Sequence, residues 1–150
     1  MSPTSPQDPS PSAARAARDV RVVIGRLRRV LRDVSTADDL TPSQASVLAR
    51  LSKDGPATAS GLAAIEGVRP QSMAATVSVL GGRGLVERRP DPEDGRRRLV
   101  NLTSDGRERA EGDRQARHEW LARAFEERCT PRERETVIEA MAVLERLIHP

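Results

Sequence analysis

Helix boundaries in the middle of this 150-residue chain are spaced so closely that few folds can accommodate them. Thr41-Pro42-Ser43-Gln44 combines a capping Thr, a Pro suited to the first helical position and a Gln placed to close a capping box. Further helix starts are indicated at Thr58 and Pro70, and helix ends at Asp54-Gly55-Pro56, Gly67 and Gly81-Gly82. Three short helices joined by such turns predict a helix-turn-helix arrangement.

A β-hairpin is predicted directly after the third of these helices. Residues 85–89 and 98–102 have the composition of strands, and residues 91–95 form a turn rich in Asp and Pro. Arg96, Arg97 and Arg98 follow the Gly of this turn. Because a two-stranded hairpin is narrow, an Arg at its tip is able to enter the minor groove of DNA. The alternative is a solvated, charged edge that prevents strand pairing.

Long helices are predicted on both sides of this central region. Helix 12–34 has an apolar stripe wide enough for a core or a partner helix, and helix 103–128 is followed by a last helix that starts at a capping box, Thr130-Pro131-Arg132-Glu133. In the last helix, a narrow apolar seam is formed by Val137, Met141, Leu144 and Ile148. Leu, Ile, Val and Phe make up only about a fifth of the chain, which is near the limit for a chain that buries its core alone. A homodimer that shares a core would relieve this shortage.

The basic residues are concentrated in two blocks. The net charge is +3, and all but one of the 25 basic residues are Arg. Residues 15–33 hold seven Arg against two Asp, residues 69–98 hold seven Arg against four acidic residues, and the C-terminal part is mildly acidic. This distribution favours contact with a nucleic acid or another anionic surface. A codon bias toward Arg is the alternative, and composition alone leaves both open.

The helix predicted at 70–82 divides into two faces. Its core side is expected to carry Pro70, Met73, Val77 and Leu80. The opposite side carries short or uncharged side chains, which are Gln71, Ser72, Ala75 and Thr76. Gln pairs with adenine, Ser and Thr with several bases, and Ala contacts a thymine methyl group, so this side is suited to the edges of bases. Arg69, just before the helix, is placed to reach a phosphate or a guanine, whereas an ordinary polar surface helix is the alternative.

The hairpin sequence resembles a known family. The runs Gly84-Leu85-Val86-Glu87-Arg88, Asp91-Pro92-Glu93-Asp94-Gly95-Arg96 and Leu99-Val100-Asn101-Leu102-Thr103, followed by Gly106, are similar to the wing of MarR-type transcriptional regulators. The order of elements from Arg15 to the C terminus matches as well. The resemblance implies a mainly α fold with a small β-hairpin, in which residues 41–102 form a winged helix-turn-helix. Residues 12–35 and 103–150 would form a helical dimerisation region, and residues 1–11, rich in Pro and Ser, are expected to be a disordered arm.

The resemblance also implies a function for this organisation. A homodimer would bind double-stranded DNA at a palindromic operator, with helix 70–82 in the major groove and Arg96 in the flanking minor groove. In the family pattern Asp94 matches the acidic residue that holds the wing Arg, and Asp91 and Asp94 are both expected to pin the loop and orient an Arg. The candidate DNA-binding residues are Arg69, Gln71, Ser72, Ala75, Thr76, Arg88, Arg96, Arg97 and Arg98. Many members of the family are repressors released by small anionic or phenolic ligands.

Three features depart from the family pattern. Arg69 stands where a Ser or Thr cap is common, and Arg97 and Arg98 extend the cationic tip so that Arg96 shares its role. The absence of Tyr leaves few partners for a stacked aromatic ligand. Candidates for holding a small-molecule effector are Arg28, Arg32, Arg114, Arg117 and Trp120, although solvated faces and ion pairs are the more common use of such Arg residues.

Other chemistry is sparsely represented. Cys129, with Arg128 and Arg132 nearby, leaves a redox-sensing regulator open as an alternative, although oxidant-sensing relatives carry their Cys in the first helix. A winged-helix module that binds a protein instead of DNA is a second alternative. His118 and His149 lack metal-ligand spacing, so no metal, no cofactor and no enzyme activity are expected. Because no membrane helix or signal peptide is indicated, the expected location is cytoplasmic, without a membrane partner.

Overall fold

The computed structural model describes residues 8–34 and 39–149. Its elements, in chain order, are α1 (Pro11–Val34), α2 (Pro42–Asp54), β1 (Ala57–Thr58), α3 (Ala59–Glu66), α4 (Pro70–Gly82), β2 (Val86–Pro90), β3 (Arg98–Leu102), α5 (Ser104–Arg128) and α6 (Pro131–Ile148). The chain divides into two compact units, 1–34 and 35–150. Residues 1–7 of the predicted arm, and residues 35 and 150 of the predicted dimerisation region, lie outside the described residues. Within the described ranges, no helix combines the length and apolarity needed to cross a bilayer.

The helix starts predicted from capping residues are confirmed. At α2, the backbone N–H of Gln44 donates to Thr41 Oγ1 at 3.3 Å, and the backbone N–H of Thr41 donates to Gln44 Oε1 at 3.1 Å. The same reciprocal box joins Thr130 and Glu133 at the start of α6. Because each box satisfies two backbone donors that the first helical turn leaves without partners, the boundary is defined locally.

The sheet has one strand more than the predicted hairpin. β2 and β3 pair antiparallel as expected, but β1 adds to the other edge of β3, in the order β1-β3-β2. Ala57 pairs with Val100, and Thr58 pairs with Leu99. The prediction of a two-stranded hairpin was therefore incomplete, because a strand of two residues is too short to show alternation in the sequence.

The core lies where α2, α3, α4 and β3 meet. Its most deeply buried side chains, all less than 2% exposed, are Val47, Leu48, Leu62, Val77, Leu80 and Val100. The predicted inner face of α4 is confirmed at Met73, Val77 and Leu80. The prediction was wrong for Pro70, which is exposed. Pro70 occupies the first position of α4, one turn ahead of Met73, and it serves the helix start instead of the core.

The base of the hairpin is joined to the start of α5 by hydrogen bonds. The backbone N–H of Thr103 donates to the Leu85 carbonyl at 3.1 Å, and Thr103 Oγ1 donates to the Gly84 carbonyl at 2.5 Å. The backbone N–H of Gly106 then donates to Thr103 Oγ1 at 3.0 Å. The backbones of Gly106 and Leu85 lie so close together that only Gly fits at position 106, since a Cβ there would lie 1.9 Å from the Leu85 carbonyl oxygen.

We expect Gly106→Ala to lower the free energy of unfolding by about 2–4 kcal/mol, because the new methyl group forces backbone apart at the base of the hairpin. The measurement is urea denaturation followed by circular dichroism. Gly112→Ala is the matched control on the same helix, where a Cβ meets nothing within 4 Å. This control should stabilise the protein slightly through helix propensity. Equal effects of the two substitutions would contradict the steric explanation.

Four charged residues form a cluster at one side of the core, which we call the Asp39 cluster: Asp39, Arg83, Arg109 and Asp113. Asp39 precedes α2, Arg83 follows α4, and the other two lie on α5. Arg83 donates to the Asp39 carbonyl and to its carboxylate. Arg109 donates to both oxygens of the Asp39 carboxylate, at 2.9 and 3.2 Å, and its Nε lies 3.3 Å from Asp113 Oδ1.

The Asp39 cluster predicts a specific acid sensitivity. Hydrogen bonds from Arg109 are the main cause that lowers the pKa of Asp39 from 3.8 to about 2. Since the folded-state pKa lies below the ordinary value, the carboxylate stabilises the fold in full above pH 3.8, and this contribution disappears as the pH falls toward 2. We expect the difference in unfolding free energy between the parent chain and Asp39→Asn to shrink over that interval.

Denaturant titrations at successive pH values measure this difference. Glu111→Gln, which removes an exposed carboxylate from the same helix as Arg109, is the control for the loss of one negative charge. If the difference in unfolding free energy between the parent and Asp39→Asn stays constant from pH 7 to pH 2, the lowered pKa of Asp39 is contradicted.

Candidate nucleic-acid interface

The turn between α3 and α4 orients the candidate base-contacting helix. Gly67 ends α3 in the left-handed conformation, with φ of 66°, and the backbone N–H of Val68 donates to the Ala63 carbonyl at 3.0 Å. Only Gly adopts this φ without strain, so Gly67 allows α3 to end and α4 to begin only three residues later. Arg69 is the N-cap of α4 and makes no capping hydrogen bond with its side chain. The exposed guanidinium is therefore not used to start the helix.

The side of α4 that faces away from the core carries the four short or uncharged side chains expected there. Gln71, Ser72 and Ala75 are exposed, and Thr76 is half-buried. The Thr76 hydroxyl donates to the Ser72 carbonyl of its own helix at 3.1 Å. Because this bond uses the hydroxyl proton, the Thr76 hydroxyl keeps only acceptor capacity, which suits a base that offers an amino group. Val79, one turn after Ala75, is 47% exposed. Val79 was not assigned to the outer face of this helix from the sequence.

A second polar network holds the end of α3 against α2. The Ser46 hydroxyl donates to Glu66 Oε2 at 2.7 Å, and Arg50 Nε donates to Glu66 Oε1 at 3.1 Å. Arg50 also lies 3.2 Å from the carboxylate of Asp54. This network was not found from the sequence, because nothing local links residues 16 and 20 positions apart. It neutralises a carboxylate directly before the α3–α4 turn.

The tip of the hairpin is fixed by hydrogen bonds to its own backbone. Asp91 Oδ1 accepts from the backbone N–H of Glu93 at 2.9 Å, and Asp94 Oδ1 accepts from the backbone N–H of Arg96 at 3.0 Å. The backbone of Arg97 is bonded to Asp91 and to Asp94, both at 2.9 Å. Both Asp residues thus hold the loop in one conformation.

Arg96 and Arg97, which follow the tip, have different surroundings. Arg97 lies 4.0 Å from the carboxylate of Asp91, which is only 12% exposed. Asp94 contacts the backbone of Arg96, and within residues 8–34 and 39–149 no acidic group forms an ion pair with the Arg96 guanidinium. The Asp91 carboxylate therefore lies near the Arg97 guanidinium, whereas Asp94 contacts Arg96 through its backbone N–H.

The strand register gives the hairpin two chemically distinct faces. Arg88 pairs with Val100 and Pro90 pairs with Arg98, so both Arg residues lie on the same face as the core residues, beyond the edge of the core. Arg89 lies on the opposite face, where it forms an ion pair with Glu87. The face that carries Arg88 and Arg98 is thereby separated from the face on which Arg89 is paired with Glu87.

The remaining candidates are distributed over both units. Arg28 and Arg32 belong to α1, and Arg117 and the half-buried Trp120 belong to α5, so an effector site formed by them stays a prediction. Arg114 is 77% exposed and pairs with Glu111 at 2.8 Å. Cys129 is half-buried at the end of α5, and its redox role likewise stays a prediction.

Comparison with known proteins agrees with the architecture. A model of the MarR family matches residues 38–97. An uncharacterized HTH-type transcriptional regulator of Mycobacterium bovis is 40% identical over 111 residues, which cover 74% of this chain and 78% of that protein. An HTH-type transcriptional regulator of Mycobacterium tuberculosis shows the same identity and coverage.

Solved structures give the same result. A crystal structure of wild-type MarR from E. coli, in the apo form, has a TM-score of 0.71 and 25% identity, covering 89% of this chain and 96% of that one. A Pseudomonas aeruginosa PA01 protein assigned as a transcriptional regulator has a TM-score of 0.82 and 32% identity, covering 95% and 99%. The chain belongs to the MarR family of winged helix-turn-helix transcriptional regulators, and it is a regulator rather than an enzyme.

Proposed function

We propose that a homodimer of this chain represses transcription by binding a palindromic operator in double-stranded DNA. The observation that carries the proposal is the tip of the hairpin, where two Asp residues fix the backbone and leave the Arg96 guanidinium without an acidic partner among the described residues. A rigid, cationic tip beside a helix with short polar side chains matches the shapes of a minor groove and an adjacent major groove.

The outer face of α4 is the proposed source of sequence specificity. Gln71 is exposed in the first turn and is suited to a bidentate pair with adenine, while Ala75 is suited to a thymine methyl group. Ser72 and Thr76 add hydroxyl groups at the same face. These side chains are short, so the helix backbone is able to approach the base edges closely.

The Arg residues supply most of the affinity in this proposal. Arg69 at the start of α4, and Arg88, Arg97 and Arg98 on the hairpin, contact phosphates or the groove beside the bases. Each phosphate contact releases condensed counterions, so the affinity should fall steeply as salt is raised. Two protomers related by a twofold axis would contact half-sites about one helical turn apart.

The helices outside the core supply the proposed dimer interface. Among the described residues, neither α1 nor α6 has a buried residue. Apolar side chains are nevertheless exposed on both: Val23, Ile24, Leu27 and Val30 on α1, and Ile138, Met141, Leu147 and Ile148 on α6. Burying these side chains in a second copy removes apolar surface from water at roughly 25 cal/mol per Å².

Release from DNA would follow from a shift between dimer arrangements. A small anionic or phenolic ligand that binds best when the two α4 helices are wrongly spaced lowers the population competent for DNA. The candidate ligand residues are Arg28 and Arg32 on α1 and, separately, Arg117 and Trp120 on α5, on the basis of family resemblance and their charge or aromatic character.

Arg96→Ala tests the role of the hairpin tip. On an operator selected from a random DNA pool, we expect affinity to fall by about 1–3 kcal/mol, because the variant loses a cation from the minor groove. Fluorescence anisotropy titrations at fixed salt measure the change. Arg89→Ala is the control, since Arg89 lies on the hairpin face opposite Arg88 and Arg98 and is already paired with Glu87. If Arg96→Ala and the parent chain bind the operator with equal affinity, the hairpin tip does not contribute to DNA binding through Arg96.

Met141→Glu tests the dimer. Met141 is half exposed within one chain, so a charge there should leave the monomer folded but prevent its burial in a partner. Analytical ultracentrifugation should show a dimer for the parent and a folded monomer for the variant, with operator binding lost together with the dimer. Glu139→Ala, on the opposite side of α6, is the control. A parent chain that sediments as a monomer would overturn the proposal.

A further inference from the structure

We propose that Asp39 is a positioning residue that fixes the angle between α4 and α5, and through this angle sets the half-site spacing that the dimer accepts on DNA. The inference rests on the proposed function, because it assumes a dimer that binds two half-sites. It concerns a residue that lies outside the predicted DNA-contacting set and precedes α2.

The link to α4 runs through Arg83. The backbone N–H of Arg83 donates to the Val79 carbonyl at 3.1 Å, so its backbone continues the last turn of α4. Gly84 follows in the left-handed conformation, with φ of 72°, and turns the chain toward β2. The Arg83 guanidinium donates to the carbonyl and to the carboxylate of Asp39. The end of the base-contacting helix is thus tied to Asp39 by two hydrogen bonds.

The link to α5 runs through Arg109. Two nitrogens of its guanidinium donate to the two carboxylate oxygens of Asp39, at 2.9 and 3.2 Å, and its Nε pairs with Asp113. The Arg109 side chain is 21% exposed and that of Asp113 is 12% exposed. A planar guanidinium held on two sides by carboxylates has little rotational freedom. One Asp side chain therefore joins the end of α4 to the second turn of α5.

This arrangement differs from the ordinary ion pairs on the surface of α5. Arg114 and Glu111, for example, are 77% and 57% exposed and lie one turn apart on the same helix. Such a pair contributes little and constrains no other element. The Asp39 cluster instead connects residues 44 and 70 positions apart in the chain, and it joins three separate elements.

The length of α5 converts a small angular change into a change of spacing. α5 spans 25 residues, or about 37 Å at 1.5 Å per residue, and leads to α6 with its exposed apolar side chains. A rotation of about 5° over a distance of about 35 Å displaces the far end by about 3 Å, close to the rise of one base pair. Holding the angle between α4 and α5 within a few degrees therefore suffices to favour one half-site spacing over its neighbours.

The experiment compares operators whose half-site spacing is shortened or lengthened by one base pair. Asp39→Asn removes the charge that holds both Arg residues, and Arg83→Lys keeps the charge but loses the planar fork of donors. Glu111→Gln is the control, because it makes the same charge change at the exposed Arg114 pair. Thermal melting and ultracentrifugation are recorded for each variant, so that folding and dimerisation are known independently.

We expect the parent and Glu111→Gln to prefer one spacing by about tenfold or more, and Asp39→Asn and Arg83→Lys to reduce that preference to about threefold or less. The affinity for random DNA should stay within about twofold of the parent in both variants. If Asp39→Asn melts too low to be used, Arg83→Lys decides the outcome.

A purely stabilising role predicts a different result. Lower melting temperatures with an unchanged spacing preference in both variants would overturn the inference while leaving the proposed function intact. A parent chain that binds no operator, or that is monomeric, would overturn the proposed function and this inference together.

Discussion

The burial of one face of α4 is the constraint on which the rest of the structure depends. Met73, Val77 and Leu80 are all 2% exposed or less, and together they allow α4 a single rotation about its axis. The opposite side, with Gln71, must then face outward. A chain with few large apolar residues places them where they determine the orientation of the proposed base-contacting helix, and leaves the outer helices without a core of their own.

The many Arg residues have two separate uses. Arg50, Arg83 and Arg109 are bound to Glu66 or Asp39 and hold elements of the fold together. Arg69 and Arg96 have no such acidic partner among the described residues, and both lie at positions that the winged helix-turn-helix directs outward. Composition did not separate these uses, because the difference lies in which carboxylate each guanidinium meets. The acidic residues thus determine which cations stay available for an anionic partner.

Local signals predicted most of the fold, whereas contacts between distant residues were not predictable. Capping boxes and Gly turns act within four residues, so the starts of α2, α4 and α6 were correct from the sequence alone. β1 was missed because its pairing partner lies more than 40 residues away, and the Asp39 cluster was missed for the same reason. The outer face of α4 followed from helical periodicity, but the contacts of the tip depend on the folded loop, in which Asp94 holds the backbone of Arg96 and Asp91 lies beside Arg97.

The small number of large apolar residues in this chain and its proposed function have a common physical basis. In one chain, α6 leaves Leu147 and Ile148 more than two-thirds exposed, which is an unfavourable arrangement for an isolated helix. In the proposed dimer, the second copy that covers these side chains would also supply a second α4, and two half-sites bound together would give far more affinity than one. Stability of the outer helices and DNA affinity are then coupled through the same interface. Any change that separates the two copies should weaken both, and any group that fixes α4 against α5 should act on the spacing between the two bound half-sites.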